Sequence, residues 1–154
     1  MSVDSEDSQS EWAMSGHKAA STLLVCTRCN WTGSEAERAG PRGALLRLVR
    51  AVAGGVASVQ AVACLSGCKR ACAIGVMAPG KVTYLFGDLP PTPDAAADIA
   101  AFALQHAHAV DGWVPRADRP PTLREGILAR LPPLAWATDG EIAWPGTPVA
   151  AGSR

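Results

Sequence analysis

The sequence predicts one α/β domain over residues 21–133, running β-α-β and then β-β-α, with a short C-terminal helix and flexible ends. Three observations predict it. Short apolar runs, rich in β-branched residues, alternate with a helix-like stretch, as strands joined by a crossover do. A Pro-Gly pair then separates two further apolar runs, as in a hairpin. After it, a long alanine-rich stretch opens with a capping residue, a proline and an acid, the marks of a helix start. With 154 residues, 48% of them hydrophobic and 18% charged, the chain can fill one core without disulfide staples.

Residues 1–20 are polar, small and acidic and read as a flexible tail. "STLLVC" (Ser21–Cys26) reads as a buried strand that delivers Cys26 at its end. "NWTGSEAERAGPRG" is loop-like. "PRGALLRLVRAVAGG" reads as a helix, with Leu45, Leu48, Val49 and Val52 at helical spacing and Arg42, Arg47 and Arg50 left for solvent. Gly54-Gly55 stops it. "SVQAVAC" is the next strand and delivers Cys64. "AIGVMAPGKVTYLFGDL" reads as a hairpin turning at Pro79-Gly80. "TPDAAADIAAFALQHAH" is a helix capped by Thr92, with Pro93 and Asp94 in its first turn, and Ile99, Phe102, Ala103 and His106 on one face. "DGWVPRADRPP" is a loop. "TLREGILARL" reads as a short helix, with Thr122 and Glu125 spaced as a capping box. Residues 134–154 thin into Pro, Gly, Ala and Thr and read as a flexible tail.

Lys plus Arg equal Asp plus Glu, 14 against 14, so no bulk attraction to nucleic acid or membrane is expected. No apolar run approaches the ~20 residues of a membrane helix. "MSVDSEDSQSEW" has no apolar core of a secretory signal, so a cytoplasmic location is expected. In that compartment, clustered thiols point to metal or redox chemistry rather than to disulfides.

Five cysteines fall in two clusters, Cys26 and Cys29 in "CTRC" and Cys64, Cys68 and Cys72 in "CLSGCKRAC". Five is odd, so they cannot all pair within one chain. Packing alone accounts poorly for a C-x-x-C and a C-x-x-x-C at the ends of two strands. A thioredoxin-type site at Cys26 and Cys29 fits the simple pattern, but a loop of about a dozen residues separates Cys29 from the next predicted helix, too far for its dipole to act. Four thiolates, by contrast, supply the sulfur set of a zinc ion or of an iron–sulfur cluster. Two parallel neighbouring strands would bring both loops to the same end of a sheet. Spacing alone does not separate zinc from iron–sulfur.

The strand–"CLSGC" element and the hairpin "APGKVTYLFGDL" resemble the thioredoxin-like 2Fe–2S ferredoxins, and the related small subunits of NADH dehydrogenases and hydrogenases, over residues 21 to 110. More narrowly, "CTRCNWTG", "AVACLSGCKRACAI", "APGKVTYLFGDL" and "DGWVPRADRPPTLREGILARLPP" are similar to a family of small bacterial predicted metal-binding proteins, some of them near cobalamin-synthesis genes. The resemblance implies a thioredoxin-like ferredoxin fold. It also implies a 2Fe–2S cluster, with zinc as the alternative, and electron transfer with a redox partner such as a cofactor-biosynthesis enzyme. The protein itself would then catalyse nothing. Carried over residue by residue, Cys64 and Cys68 match the second ferredoxin pair and Cys26 the first ligand. Cys29 stands in for the next ligand, although ferredoxins space that pair more widely than C-x-x-C. Cys26, Cys29, Cys64 and Cys68 are thus the expected ligands and Cys72 the spare, with an exchange of Cys68 for Cys72 as the rival. Two other classes stay open: a structural or metal-delivery zinc protein, and a thiol oxidoreductase using Cys26 and Cys29.

Lys69 and Arg70 could offset cluster charge or steer an acidic partner, or be ordinary solvated charges. His106 reads as a core histidine, and neither it nor His108 is expected to be a ligand. No glycine-rich phosphate loop and no G-x-S-x-G elbow is present. Trp113, Arg116, Asp118 and Arg119 share one loop, either a docking surface or a tryptophan pin beside an Arg–Asp pair.

Overall fold

The computed structural model describes residues 20–29, 42–136 and 140–145. The expected N-terminal tail, most of the loop after Cys29 and the end of the C-terminal tail lie outside the described residues.

Alternation of apolar and half-exposed residues forms the strands. β1 (Thr22–Cys26) buries Leu23 and Val25, β3 (Ile74–Met77) buries Ile74 and Val76, and β4 (Thr83–Phe86) buries Tyr84 and Phe86. With β2 (Ser58–Val62) and β5 (Ile127–Leu131) they make a mixed five-stranded sheet in the order β2-β1-β3-β4-β5. β1 runs parallel to β2, and β3 is antiparallel to both β1 and β4. The β3–β4 turn falls at Pro79-Gly80 as expected, with Gly80 at φ 70°.

Two α-helices among the described residues cover the buried face. α1 (Ala44–Ala53) and α2 (Pro93–His108) pack on each other, and their buried residues join those of the strands in one core. The buried stripe of α1 is Leu45, Leu46, Val49 and Ala53. This corrects the expected stripe: Leu48 is only half-buried and Val52 is exposed, because the helix rolls Leu46 and Ala53 inward. Phe102 of α2 meets Tyr84 and Phe86 edge-on, each pair of ring centroids 5.1 Å apart.

α2 begins as its sequence predicts. The Ala95 amide donates to Thr92 Oγ1 at 3.2 Å, Pro93 takes the first position and Asp94 lies at the positive end. Thr92→Ala should cost about 1 kcal/mol of stability in urea titrations, with the unfolding slope unchanged.

His106 is fully buried on the predicted face of α2. Its Nε2–H donates to the Val82 carbonyl at 2.6 Å, leaving Nδ1 to accept from the Ser21 hydroxyl at 2.7 Å. Burial pushes its pKa below the ordinary value, the Val82 carbonyl opposes this, and the nearby Lys81 charge adds to it. The unfolded chain therefore takes the proton first as pH falls. Stability should be full above ~6.5 and fall below it, with a limiting slope of ~1.4 kcal/mol per pH unit. His106→Gln should flatten that slope in urea titrations run across this range, whatever its own cost.

"TLREGILARL" departs from expectation. In place of a short C-terminal helix there is a 3-10 turn at Pro121–Leu123 and then strand β5. The capping box does not form. The Thr122 amide and hydroxyl both donate to Asp98 Oδ2, at 3.0 and 2.5 Å, and Glu125 pairs with Arg116. Gly126 adopts φ 74°, which ends any helix, and the antiparallel edge of β4 takes up the chain from Ile127 to Leu131.

Residues 140–145 bring Trp144 beside Trp113, the rings tilted with centroids 5.5 Å apart, and the Arg130 guanidinium lies 4.6 Å from the Trp113 centroid and 4.9 Å from that of Trp144.

Candidate metal centre

Three chain segments bring the cysteines to one end of the sheet. β1 and β2 are adjacent and parallel, so both finish there, and the Thr27 amide ties the two ends by donating to the Val62 carbonyl at 2.8 Å. Cys26 ends β1, and Cys64 lies two residues past β2 rather than at its last position. The third segment leads into β3. The Cys26 amide donates to Ala73 O at 3.4 Å, and Cys72 exchanges two backbone bonds with Leu89, each 3.2 Å.

The five thiols separate by exposure. Cys26, Cys29 and Cys72 are buried, at 3%, 5% and 4%, whereas Cys64 and Cys68 are exposed. None is in a disulfide. In the buried set, Cys26 Sγ lies 3.9 Å from the Ala63 carbonyl, and the Ala73 amide donates to Cys29 Sγ at 3.3 Å. The Cys29 thiol is pushed far up, first by its hydrogen bonding to Cys72 and then by burial. The same interaction lowers Cys72, against its own burial. In the exposed set, the sulfurs of Cys64 and Cys68 are 3.7 Å apart and the Ser66 amide donates to Cys64 Sγ at 3.2 Å. Ser66 makes this possible by turning through φ 59°, after which Cys68–Arg70 forms one 3-10 turn. Cys68 is raised first by its hydrogen bonding to Cys64. The two sets are neighbours: Gly67, next to Cys68, backs onto the Ala73 side chain, and the Ala73 amide reaches Cys29.

Among the described residues, no group of three or more His, Cys, Asp or Glu side chains is arranged to hold a metal ion. The donor chemistry fits a thiophilic metal. The spacing of the exposed pair fits too: two sulfurs bound at about 2.3 Å to one tetrahedral ion lie ~3.8 Å apart. What the described residues show is one exposed pair of close sulfurs, with three buried thiols at the same end of the sheet.

The other candidates have structural employment. Arg70 is exposed and donates to Asp88, with Nε–Oδ2 at 2.7 Å, which holds the Asp88 carboxyl below the usual range. Lys69 is exposed beside it. In the "DGWVPRADRP" loop, the Arg–Asp pair of the pin alternative is not among the ion pairs of the described residues. Arg116 pairs with Glu125, and Arg119 is buried over the Tyr84 ring with Nε bonded to Val114 O at 3.1 Å. The Trp113 ring lies under the Arg130 guanidinium of the edge strand β5. Sequence reasoning missed Asp88 and Gly87, which lie against the cysteine loop only through the hairpin: the Asp88 amide donates to Arg70 O at 2.7 Å.

A family model described as "Protein of unknown function (DUF1636)" matches residues 23–133. The chain belongs to this family. The matched region covers the strands and α-helices of the described residues, apart from Thr22 at the start of β1, and contains all five cysteines; Trp136 and Trp144 lie beyond it. No curated protein and no solved structure matches the chain. No helix among the described residues is long and apolar enough to cross a membrane.

Proposed function

We propose that this protein binds a metal through cysteine thiolates, as a 2Fe–2S ferredoxin-like electron carrier for a partner oxidoreductase. The observation that carries the reading is the 3.7 Å separation of Cys64 and Cys68, the spacing of two thiolates on one tetrahedral ion. It also favours Cys68 over Cys72 as the partner of Cys64. Cys26 and Cys29 would supply the other pair, from the end of the adjacent parallel strand. A bound cluster would supply one-electron chemistry. The chain's own part is to hold four sulfurs at one end of the sheet, shield one pair in the core and leave the other pair at the surface.

The proposed fold is thioredoxin-like. The strand order 2-1-3-4, with β3 antiparallel to its neighbours and both helices in one core, supports it; β5 is an addition at the edge. The cytoplasmic location and a cofactor-biosynthesis partner belong to the same proposal. Zinc is the second reading, because the same four thiolates and the same spacing suit it equally. The thiol-oxidoreductase reading is less well supported: Cys26 and Cys29 are buried, out of reach of a substrate disulfide in solution.

Visible absorption of protein purified without oxygen, before and after a strong reductant, tests the reading. Sulfur-to-iron bands that bleach on reduction are expected. A colourless protein with stoichiometric zinc would overturn electron transfer and establish the zinc reading. A colourless, metal-free protein that also fails reconstitution with iron and sulfide would overturn both.

A further inference from the structure

We infer that Cys64 and Cys68 form a reversible thiol–disulfide couple at the mouth of the cysteine cluster, and that its oxidation closes the site to metal. The couple stands on its own geometry; its consequence for metal rests on the proposed metal-binding reading.

Proximity and access both single out this pair. The two sulfurs are 3.7 Å apart. A disulfide bond is ~2.0 Å long, so closure needs a movement of under ~2 Å. Both residues are exposed and lie in the loop after β2, outside the sheet ladder, where a small shift leaves strand pairing intact. The remaining three thiols are buried, so a reagent in solution reaches Cys64 and Cys68 first. Either member can open the exchange, since both thiols are exposed.

The oxidant is a low-molecular-weight disulfide. When Cys64 opens the exchange, its thiolate attacks one of the oxidant's sulfurs, that S–S bond breaks, and one small thiolate leaves. Cys68 thiolate then attacks the Cys64 sulfur of the mixed disulfide and expels the second small thiolate. The pair loses two electrons and two protons, and the two released small thiols carry them. An excess of small thiol runs the exchange backwards. The same two sulfurs cannot be both a disulfide and two thiolate ligands. Oxidation therefore removes the exposed half of the proposed site while the buried half stays sheltered.

The test equilibrates metal-stripped, full-length protein in glutathione–glutathione disulfide buffers, traps free thiols by alkylation and reads intact and peptide masses. The expected result is a loss of two thiols of the five, located at Cys64 and Cys68. Cys64→Ser should lose the intramolecular bond, leaving Cys68 free or glutathionylated. Unchanged thiols across the series, or oxidation at Cys26, Cys29 or Cys72 instead, would overturn the couple. Zinc ion is then offered to the reduced and oxidised forms in competition with a chromophoric chelator. Uptake by the reduced form alone supports the closure of the site. Equal uptake by both forms would overturn the closure. Uptake by neither would overturn the zinc reading and the closure toward zinc, and leave the couple standing.

Discussion

Gly87→Ala should unseat the segment that carries Cys68 and Cys72. A Cβ at Gly87 would stand 2.5 Å from the Arg70 carbonyl oxygen, 3.0 Å from Arg70 Cβ and 3.0 Å from Leu128 Cδ1. The first of these is backbone and cannot swing away. Three backbones meet at this point: the Gly87 amide donates to Gly126 O at 2.8 Å, and the Asp88 amide donates to Arg70 O at 2.7 Å. Relief of the clash must move the Arg70 loop, β4 or the start of β5. The overpacking should cost about 1–3 kcal/mol in denaturant melts. The functional effect should be larger, because the loop that moves holds the exposed thiol pair. Gly55→Ala, at an exposed glycine whose added Cβ would meet nothing within 4 Å, is the control and should leave both stability and thiol reactivity near those of the parent. Thiol labelling rates at Cys64 and Cys68 in the Gly87 variant, unchanged from the parent, would show that the glycine contact does not hold the loop.

Cys29→Ser should abolish metal retention, while Cys72→Ala should keep it. Both residues are buried and interact with each other, so removing either disturbs the same pocket. The proposed ligand set separates them: Cys29 belongs to it and Cys72 does not. Cys72→Ala removes a small buried side chain and should cost roughly 1 kcal/mol of stability. Metal-to-protein ratios of the two variants, measured on material purified in parallel, check this. Metal lost from Cys72→Ala and kept by Cys68→Ser would reverse the assignment and make Cys68 the spare thiol.

Much of this arrangement was legible along the chain, for reasons that are local. The cap of α2 is a matter of Thr92, Pro93 and Asp94 within one turn of each other. The β3–β4 hairpin follows from Pro79-Gly80 between two apolar runs, and the burial of His106 from its place on the face of Ile99, Phe102 and Ala103. Grouping of the two cysteine clusters required one further expectation, that their strands be parallel neighbours, and β1 and β2 are.

β5 was not legible. Thr122 and Glu125 have the spacing of a capping box, and a local reading has no way to register that Asp98 on α2 takes the threonine while Arg116 takes the glutamate. Nor does "GILARL" declare itself a strand until the edge of β4 offers it a ladder. Trp144 is a similar case, since its place depends on Arg130 and Trp113 reaching the same spot from other parts of the chain.

The sequence by itself determined the element order up to α2, the capped helix, the hairpin and the presence of five thiols in two clusters, because each is written in residues within a few positions of one another. Only the tertiary structure decided which thiols are sheltered and which are exposed, and that β4 has a fifth strand beside it. Cys72 is buried because Leu89, seventeen residues on, holds its backbone in the hairpin, and Cys64 and Cys68 are exposed because their loop leaves the sheet. Burial depends on what the rest of the chain brings to a residue, and spacing along the chain does not encode that.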